Sequence, residues 1–154
     1  MQRRHSRSIQ VFLLFSLLLT ILSLGITGCQ GDTSKGTSGE FKMAPLEGMP
    51  AEVQSAPLTV QQAYQFAVAN PDVMQKLPCY CGCGSMGHKS NYDCYVSGID
   101  ANGKPTYDTH ALGCSICVDI TQDAIRLLKE GKSIAEIRQY VDATYAKYGP
   151  SNMP

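Results

Sequence analysis

Six cysteines and two histidines lie between Cys79 and Cys117, in the order Cys79-x-Cys81-x-Cys83, His88, Cys94, His110, Cys114-x-x-Cys117. Thiolate and imidazole are ligands for transition metals, and thiolate-rich sets select zinc(II), copper(I) or iron–sulfur clusters. Eight candidate ligands suffice for two tetrahedral sites, or for one site with spares. Cys81, Cys83, Cys114 and Cys117 form the first-choice set, with His88, His110, Cys79 and Cys94 next. A CxxC at a helix start places two thiolates on one side of an ion, where the helix dipole favours their charge. The Gly-interrupted Cys79–Gly84 segment lets the backbone fold tightly and aim its sulfurs inward. Zinc favours isolated four-coordinate sites. Copper(I) accepts two or three sulfurs and shared clusters, which suits CxCxC, and Met86 could also serve it.

Two other chemistries use the same residues. Six cysteines allow three disulfides, and Cys79, Cys81 and Cys83 would then need Cys94, Cys114 and Cys117 as partners. Alternatively, Cys114-Ser115-Ile116-Cys117 at a helix start is the arrangement that lowers a thiol pKa and supports thiol–disulfide exchange. Taken singly, His88 and His110 read as ordinary loop residues; their interleaving with the cysteines is what makes them candidates. Tyr80, Tyr92 and Tyr95 read as packing residues, and Asp93 and Asp108 as solvated or capping groups. There is no serine-nucleophile motif, phosphate loop or carboxylate pair, so a binding role is favoured over an enzymatic one.

These ligands need elements to position them. Thr59-Val60-Gln61-Gln62 matches a capping box, and Val60, Ala63, Tyr64, Ala67 and Val68 fall on one helical face. Asn70-Pro71 stops that helix and opens a further short turn before Pro78. A second helix is expected over Ser115–Lys129, with Ile116, Ile120, Ala124, Leu127 and Leu128 on one stripe and Gly131 at its C-terminal cap. Ser133-Ile134-Ala135-Glu136 is another capping box, and Ile134, Ile137, Val141, Tyr145 and Tyr148 carry a third helix closed by Gly149-Pro150. The short Gly131–Lys132 link makes these two helices antiparallel. Between the first and second helices, Pro78–Gly113 is Gly-, Asn- and Cys-rich. Only Tyr92–Val96 has strand character there, and Asn102-Gly103 marks a turn. A stretch this long inside a small domain needs more than apolar burial to order it. The expected fold is therefore mainly α: a small three-helix domain at 58–149 with a Cys/Gly-rich irregular insert.

The N-terminal part reads as an address. Met1–Gln10 carries Arg3, Arg4 and Arg7, and Val11–Ile26 is almost wholly apolar. Sixteen helical residues reach about 24 Å, short of the roughly 30 Å hydrocarbon core, which favours a cleaved leader over a permanent span. Residues 29–57 shift to Gly, Ser, Thr and Pro and are expected to form a flexible tether. Over the whole chain, 13 basic residues balance 13 acidic ones. The three leader arginines removed, the remainder is weakly acidic and has no basic run, which excludes nucleic acid as a partner.

Ile26-Thr27-Gly28-Cys29 resembles the lipobox of bacterial lipoproteins. That resemblance implies a signal peptide over 1–28, lipidation of Cys29 and a membrane partner through that anchor, on the outer face of the cell membrane. Pro78-Cys79-Tyr80-Cys81-Gly82-Cys83, followed by Gly84, His88, Cys94, His110, Cys114 and Cys117, resembles the bacterial PCYCGC-motif lipoproteins, a likeness that names a family more than a mechanism. The stretch from Cys114 to Gly149 is similar to the small membrane-tethered thiol reductases of cytochrome c maturation, which lack a CxCxC segment; it implies a redox role for Cys114 and Cys117 as the alternative to metal binding. No protein partner is indicated.

Overall fold

The structure is a computed structural model that describes residues 41–154. Its elements are α1 (Ala51–Gln54), α2 (Leu58–Ala69), α3 (Pro71–Met74), β1 (Val96–Ile99), β2 (Pro105–Tyr107), α4 (Ser115–Lys129) and α5 (Ile134–Tyr145). Single 3-10 turns occur at Cys83–Met86, Tyr92–Cys94, His110–Leu112 and Ala146–Tyr148. This is a mainly α domain with a cysteine-rich irregular region, as the sequence implies. No described helix is long and apolar enough to cross a membrane.

The core forms where α4 packs against both α2 and α5. Ala63, Tyr64, Phe66 and Ala67 of α2, Ile120 and Ala124 of α4, and Ile137 and Val141 of α5 have no exposed surface. Each large apolar side chain buried this way contributes about 2 kcal/mol relative to leaving it in water. Tyr145 Oη donates to Asp123 at 2.7 Å, and Arg126 stacks over Tyr140 at 5.4 Å. Contacts thus ascend one helix as they descend the other, which is an antiparallel register. The link between these helices closes as expected. Gly131, at φ +78°, takes the left-handed position; its N–H donates to Leu128 O and that of Lys132 to Leu127 O, both at 2.9 Å. Ser133 and Glu136 then cap α5 reciprocally.

Four expectations are corrected. First, the tether expected over 29–57 lies partly outside the described residues, together with the leader and Cys29. Its described portion, 41–57, is packed onto the domain. Phe41 stacks edge-on against Phe66, Asn70 exchanges two hydrogen bonds with the Lys42 backbone, and Met49 and Val53 are buried. A few apolar residues among the glycines and prolines suffice to anchor the segment, so the folded unit begins before residue 58. Second, α2 starts at Leu58 without the Thr59 capping box. Pro57 O accepts from the N–H groups of Val60 and Gln61 at 2.9 and 3.1 Å, and the Gln61 amide bonds back to Gln54 O and Ala56 O. Proline fixes the entry two residues earlier and Thr59 is left inside the first turn.

Third, Tyr92–Cys94 is a 3-10 turn, and the strand begins at Val96. Tyr92, Cys94 and Tyr95 are all buried, so burial on more than one side replaces the alternation a strand would need. The strand pairs with β2 across the Asn102-Gly103 turn, where Asp100 Oδ1 accepts from both the Asn102 and Lys104 N–H groups. Fourth, at the C-terminus, α5 ends at Tyr145 and the last turn is 3-10, which leaves Tyr148 exposed rather than on the apolar stripe.

Candidate metal centre

The helices hold the irregular region at both ends. Cys114 is the N-cap of α4 and Cys117 lies in its first turn, so the expected CxxC at a helix start is present. The preceding loop is positioned from α2. Tyr64 Oη donates to Asp108 O at 2.7 Å, and Asp108 Oδ1 accepts from the His110 N–H at 2.7 Å. On the other side, the Pro78–Cys83 segment turns back on itself at Gly82, whose φ of +86° is the left-handed conformation that favours glycine, and enters the 3-10 turn at Cys83.

These supports bring all six sulfurs together. Cys117 Sγ lies 3.0 Å from Cys114 Sγ, 3.4 Å from Cys79 Sγ and 3.7 Å from Cys81 Sγ. Cys79 Sγ is also 3.4 Å from Cys81 Sγ, and Cys81 Sγ is 3.3 Å from His110 Nε2. Cys94 Sγ bridges outward to Cys83 Sγ at 3.7 Å and to His88 Nδ1 at 3.5 Å. All six thiols are free. A staple needs one partner per sulfur, whereas Cys117 has three sulfur neighbours. That arrangement is the shape of a ligand cluster rather than of three bridges.

One group of four ligand atoms stands within 4.8 Å of one another: Cys81, His110, Cys114 and Cys117. Three of these belong to the first-choice set read from the sequence; the fourth, Cys83, is replaced by His110. Cys83 groups instead with Cys79 and Cys81, and with Cys94 and His110, while Cys79, Cys94 and Cys117 form a further triad. The reason lies in one tight turn and one long-range support. The turn at Gly82 carries Cys83 past the quartet toward Cys94, and the Tyr64–Asp108 and Asp108–His110 bonds bring His110 into the place it would have taken. His88 belongs to none of these groups. It contacts Cys94, faces His110 ring to ring at 5.3 Å, and lies 3.6 Å from Asp108 Oδ2.

The thiols influence one another's ionisation. Cys114 is lowered to about 5, chiefly because the Cys117 thiol donates to it. The same bond raises Cys117, as do its bonds to Cys79 and Cys94 and its burial. Cys79 is lowered, first by Cys117, whereas burial followed by the charge on Cys79 raises Cys81 and Cys83. The Cys/His clusters are thus positioned to coordinate a transition-metal ion, with some sulfurs favoured as thiolates and others held as donors to them.

Several supporting residues carried no sequence signal strong enough to single them out. Tyr95 Oη bonds to Cys117 O at 2.9 Å and to Thr121 at 2.7 Å, and Asn91 Nδ2 donates to the same carbonyl. Asn152, beyond the expected end of the domain, accepts from the Cys79 N–H and donates to His88 O and toward Cys83 Sγ. Asp108 does act as a cap, and it also faces both histidines. Asp93 is a loop cap as expected, accepting from the Lys89 and Ser90 N–H groups.

No curated protein and no solved structure matches the chain. A family model described as a protein of unknown function with PCYCGC motif matches residues 18–154. That span takes in the Pro78–Cys83 hexapeptide, the later cysteines and histidines that gather around it, and the tail that holds it in place, and the chain belongs to the PCYCGC-motif family.

Proposed function

We propose that this is an exported, lipid-anchored protein whose head binds zinc(II) or copper(I), without turning over a substrate. The observation that carries the reading is the quartet of Cys81, His110, Cys114 and Cys117, with ligand atoms within 4.8 Å of one another. Three thiolates and an imidazole are a donor set that suits either ion. The charged and apolar leader and the Cys29 lipobox support the anchor, with acyl chains holding the head at the outer face of the cell membrane. Metal analysis of the chain purified from an export-competent host, with thiols counted in parallel, tests the reading. Bound metal with free thiols supports it; metal-free protein carrying three disulfides overturns it.

One observation favours a second reading. Cys114 is half-buried, its thiol is lowered to about 5, and it lines a cavity of about 330 Å³ with Val60, Leu112 and Asp119. In thiol–disulfide exchange its thiolate would attack a partner disulfide, releasing one partner thiolate. Cys117 would then attack Cys114, forming the internal disulfide and releasing the second thiolate. Cys117→Ala would accumulate the mixed disulfide, and failure to reduce any model disulfide dismisses this activity.

A further inference from the structure

With Cys81, His110, Cys114 and Cys117 assigned to one ion, four of the eight candidate ligands remain: Cys79, Cys83, Cys94 and His88. These four are gathered in space. The sulfurs of Cys79, Cys83 and Cys94 lie pairwise within 4.8 Å, with Cys94 to Cys83 at 3.7 Å. His88 Nδ1 is 3.5 Å from Cys94 Sγ. No member of this set belongs to the quartet.

We infer that Cys79, Cys83, Cys94 and His88 form a second metal site, a zinc(II) centre of three thiolates and one imidazole beside the quartet. The inference rests on the metal-binding reading and deepens it: the head holds two zinc ions, each with its own ligands.

Orientation, support and access each point to a separate site. His88 turns Nδ1 to Cys94, while its other nitrogen, Nε2, lies 3.6 Å from Asp108 Oδ2. A carboxylate on the far nitrogen is how a metal-binding histidine is commonly oriented. His110 also comes within 4.8 Å of Cys83 and Cys94, but its Nε2 faces Cys81 at 3.3 Å, which leaves His88 as the imidazole of the second set. Asn152 bonds to the Cys79 N–H, to His88 O and toward Cys83 Sγ, so one side chain holds three of the four members. The quartet is built instead on the start of α4, which carries Cys114 and Cys117. His88 lines a cavity of about 380 Å³ with Met86, Asp93 and Asp108, none of which lines the cavity at Cys114.

Burial and charge favour zinc. Cys79 and Cys94 have no exposed surface and Cys83 is 2 % exposed, so water cannot solvate their thiolates. A second divalent ion halves the charge that one ion would leave unbalanced on six thiolates. Two disjoint sets of three thiols and one imidazole also match the closed, four-coordinate sites of structural zinc.

The test is anaerobic zinc titration of the reduced, intact chain against a zinc chelator, read by native mass spectrometry. Two zinc ions per chain are expected. Cys94→Ser and Cys114→Ser should each keep one ion, and the Cys94→Ser/Cys114→Ser double variant none, because each substitution disables one set only. His88→Ala should weaken one of the two ions by about tenfold or more and leave the other at wild-type affinity. Circular dichroism checks that the helices persist; the wild-type stoichiometry and His88→Ala decide the matter if the buried cysteine variants do not fold. One zinc per wild-type chain, or two whose affinities His88→Ala leaves unchanged, overturns the second site and leaves metal binding standing. Loss of both ions from Cys94→Ser with its helices intact overturns the separation of the two sets. Copper(I) retained without zinc overturns the zinc centre, and retention of neither metal overturns the metal-binding reading itself.

Discussion

Asn152 and Cys79 are paired in both directions: the Cys79 N–H donates to Asn152 Oδ1 at 2.7 Å, and the Asn152 N–H donates to Cys79 O at 3.1 Å. Residues separated by most of the domain are thus locked like neighbouring strands. The remaining Asn152 donor reaches His88 O at 3.2 Å and Cys83 Sγ at 3.7 Å. One side chain fixes the first and third cysteines of the motif and the histidine beyond them.

Asn152→Ala should therefore weaken both fold and site. Leaving the buried Cys79 N–H without its acceptor costs about 1–3 kcal/mol. Residues that orient ligands change metal affinity by about 10–100-fold when removed, and a loss near the lower end is expected here. Urea unfolding of the metal-free protein measures the first effect and chelator competition the second. An unchanged affinity would mean that the tail packs on the loop without setting its geometry.

Asp108 should act mainly on the histidines. Its carbonyl is held by Tyr64, one carboxylate oxygen accepts from the His110 N–H, and the other lies 3.6 Å from His88 Nε2. Removing the carboxylate frees the His110 backbone and unseats the His88 ring. Asp108→Ala should lower metal affinity about tenfold while leaving the helical circular dichroism unchanged. Asp108→Asn, which keeps an acceptor for the His110 N–H, should recover part of that loss. Equal affinities for both variants and wild type would remove Asp108 from the account.

What the sequence made legible was local. The second capping box, the Gly131 cap and the stripe of α4 each depend on residues within a few positions of one another, and each is where it was expected. The ligand inventory was equally clear, because cysteine and histidine have few roles in such density. The pairing among them was not. His110 displaces Cys83 from the quartet because a tyrosine in α2 bonds to Asp108 O, 44 positions away. Asn152 reads as one more polar tail residue until the chain folds it against Cys79. The packing of segment 41–57 is hidden for a related reason: its composition is that of a linker, and the residues that meet the core, Phe41, Ala44, Leu46, Met49 and Val53, are scattered among prolines, glycines and charges.

Alkaline stability follows from the buried tyrosines. Burial, followed by the Asp108 charge for Tyr64, raises Tyr64 above its ordinary value of 10.0; burial also raises Tyr95, and burial with the Asp123 hydrogen bond raises Tyr145. A raised folded-state pKa means that the folded protein holds its proton where the unfolded chain releases it. The stability these groups contribute is complete below about pH 10 and declines as pH rises above it. Unfolding followed by tyrosinate absorbance should steepen above that pH, and Tyr64→Phe and Tyr95→Phe should each make the dependence shallower. A Phe variant with the wild-type slope would show that the ring ionises in the folded state. Tyr95→Phe also removes the bond to Cys117 O, at about 1 kcal/mol of stability near neutral pH.

The far end of α4 supplies the control. Its 15 residues extend about 22 Å from the cysteines at the N-terminus to the turn at Gly131. Gly131→Ala forces a Cβ into a left-handed conformation at φ +78° and should cost about 1–2 kcal/mol. Ser133→Ala removes the α5 cap and should cost about 1 kcal/mol. Neither touches a ligand or a residue that orients one, so both variants should bind metal with wild-type affinity at temperatures where they remain folded. Thermal unfolding and chelator competition on the same samples separate the two quantities. The site would then depend on α4 only for its first turn, with the loop and tail contacts around Cys79, Asp108 and Asn152 setting the rest. A fall in affinity that tracked the loss of stability would instead make the ligand geometry a property of the whole helical hairpin.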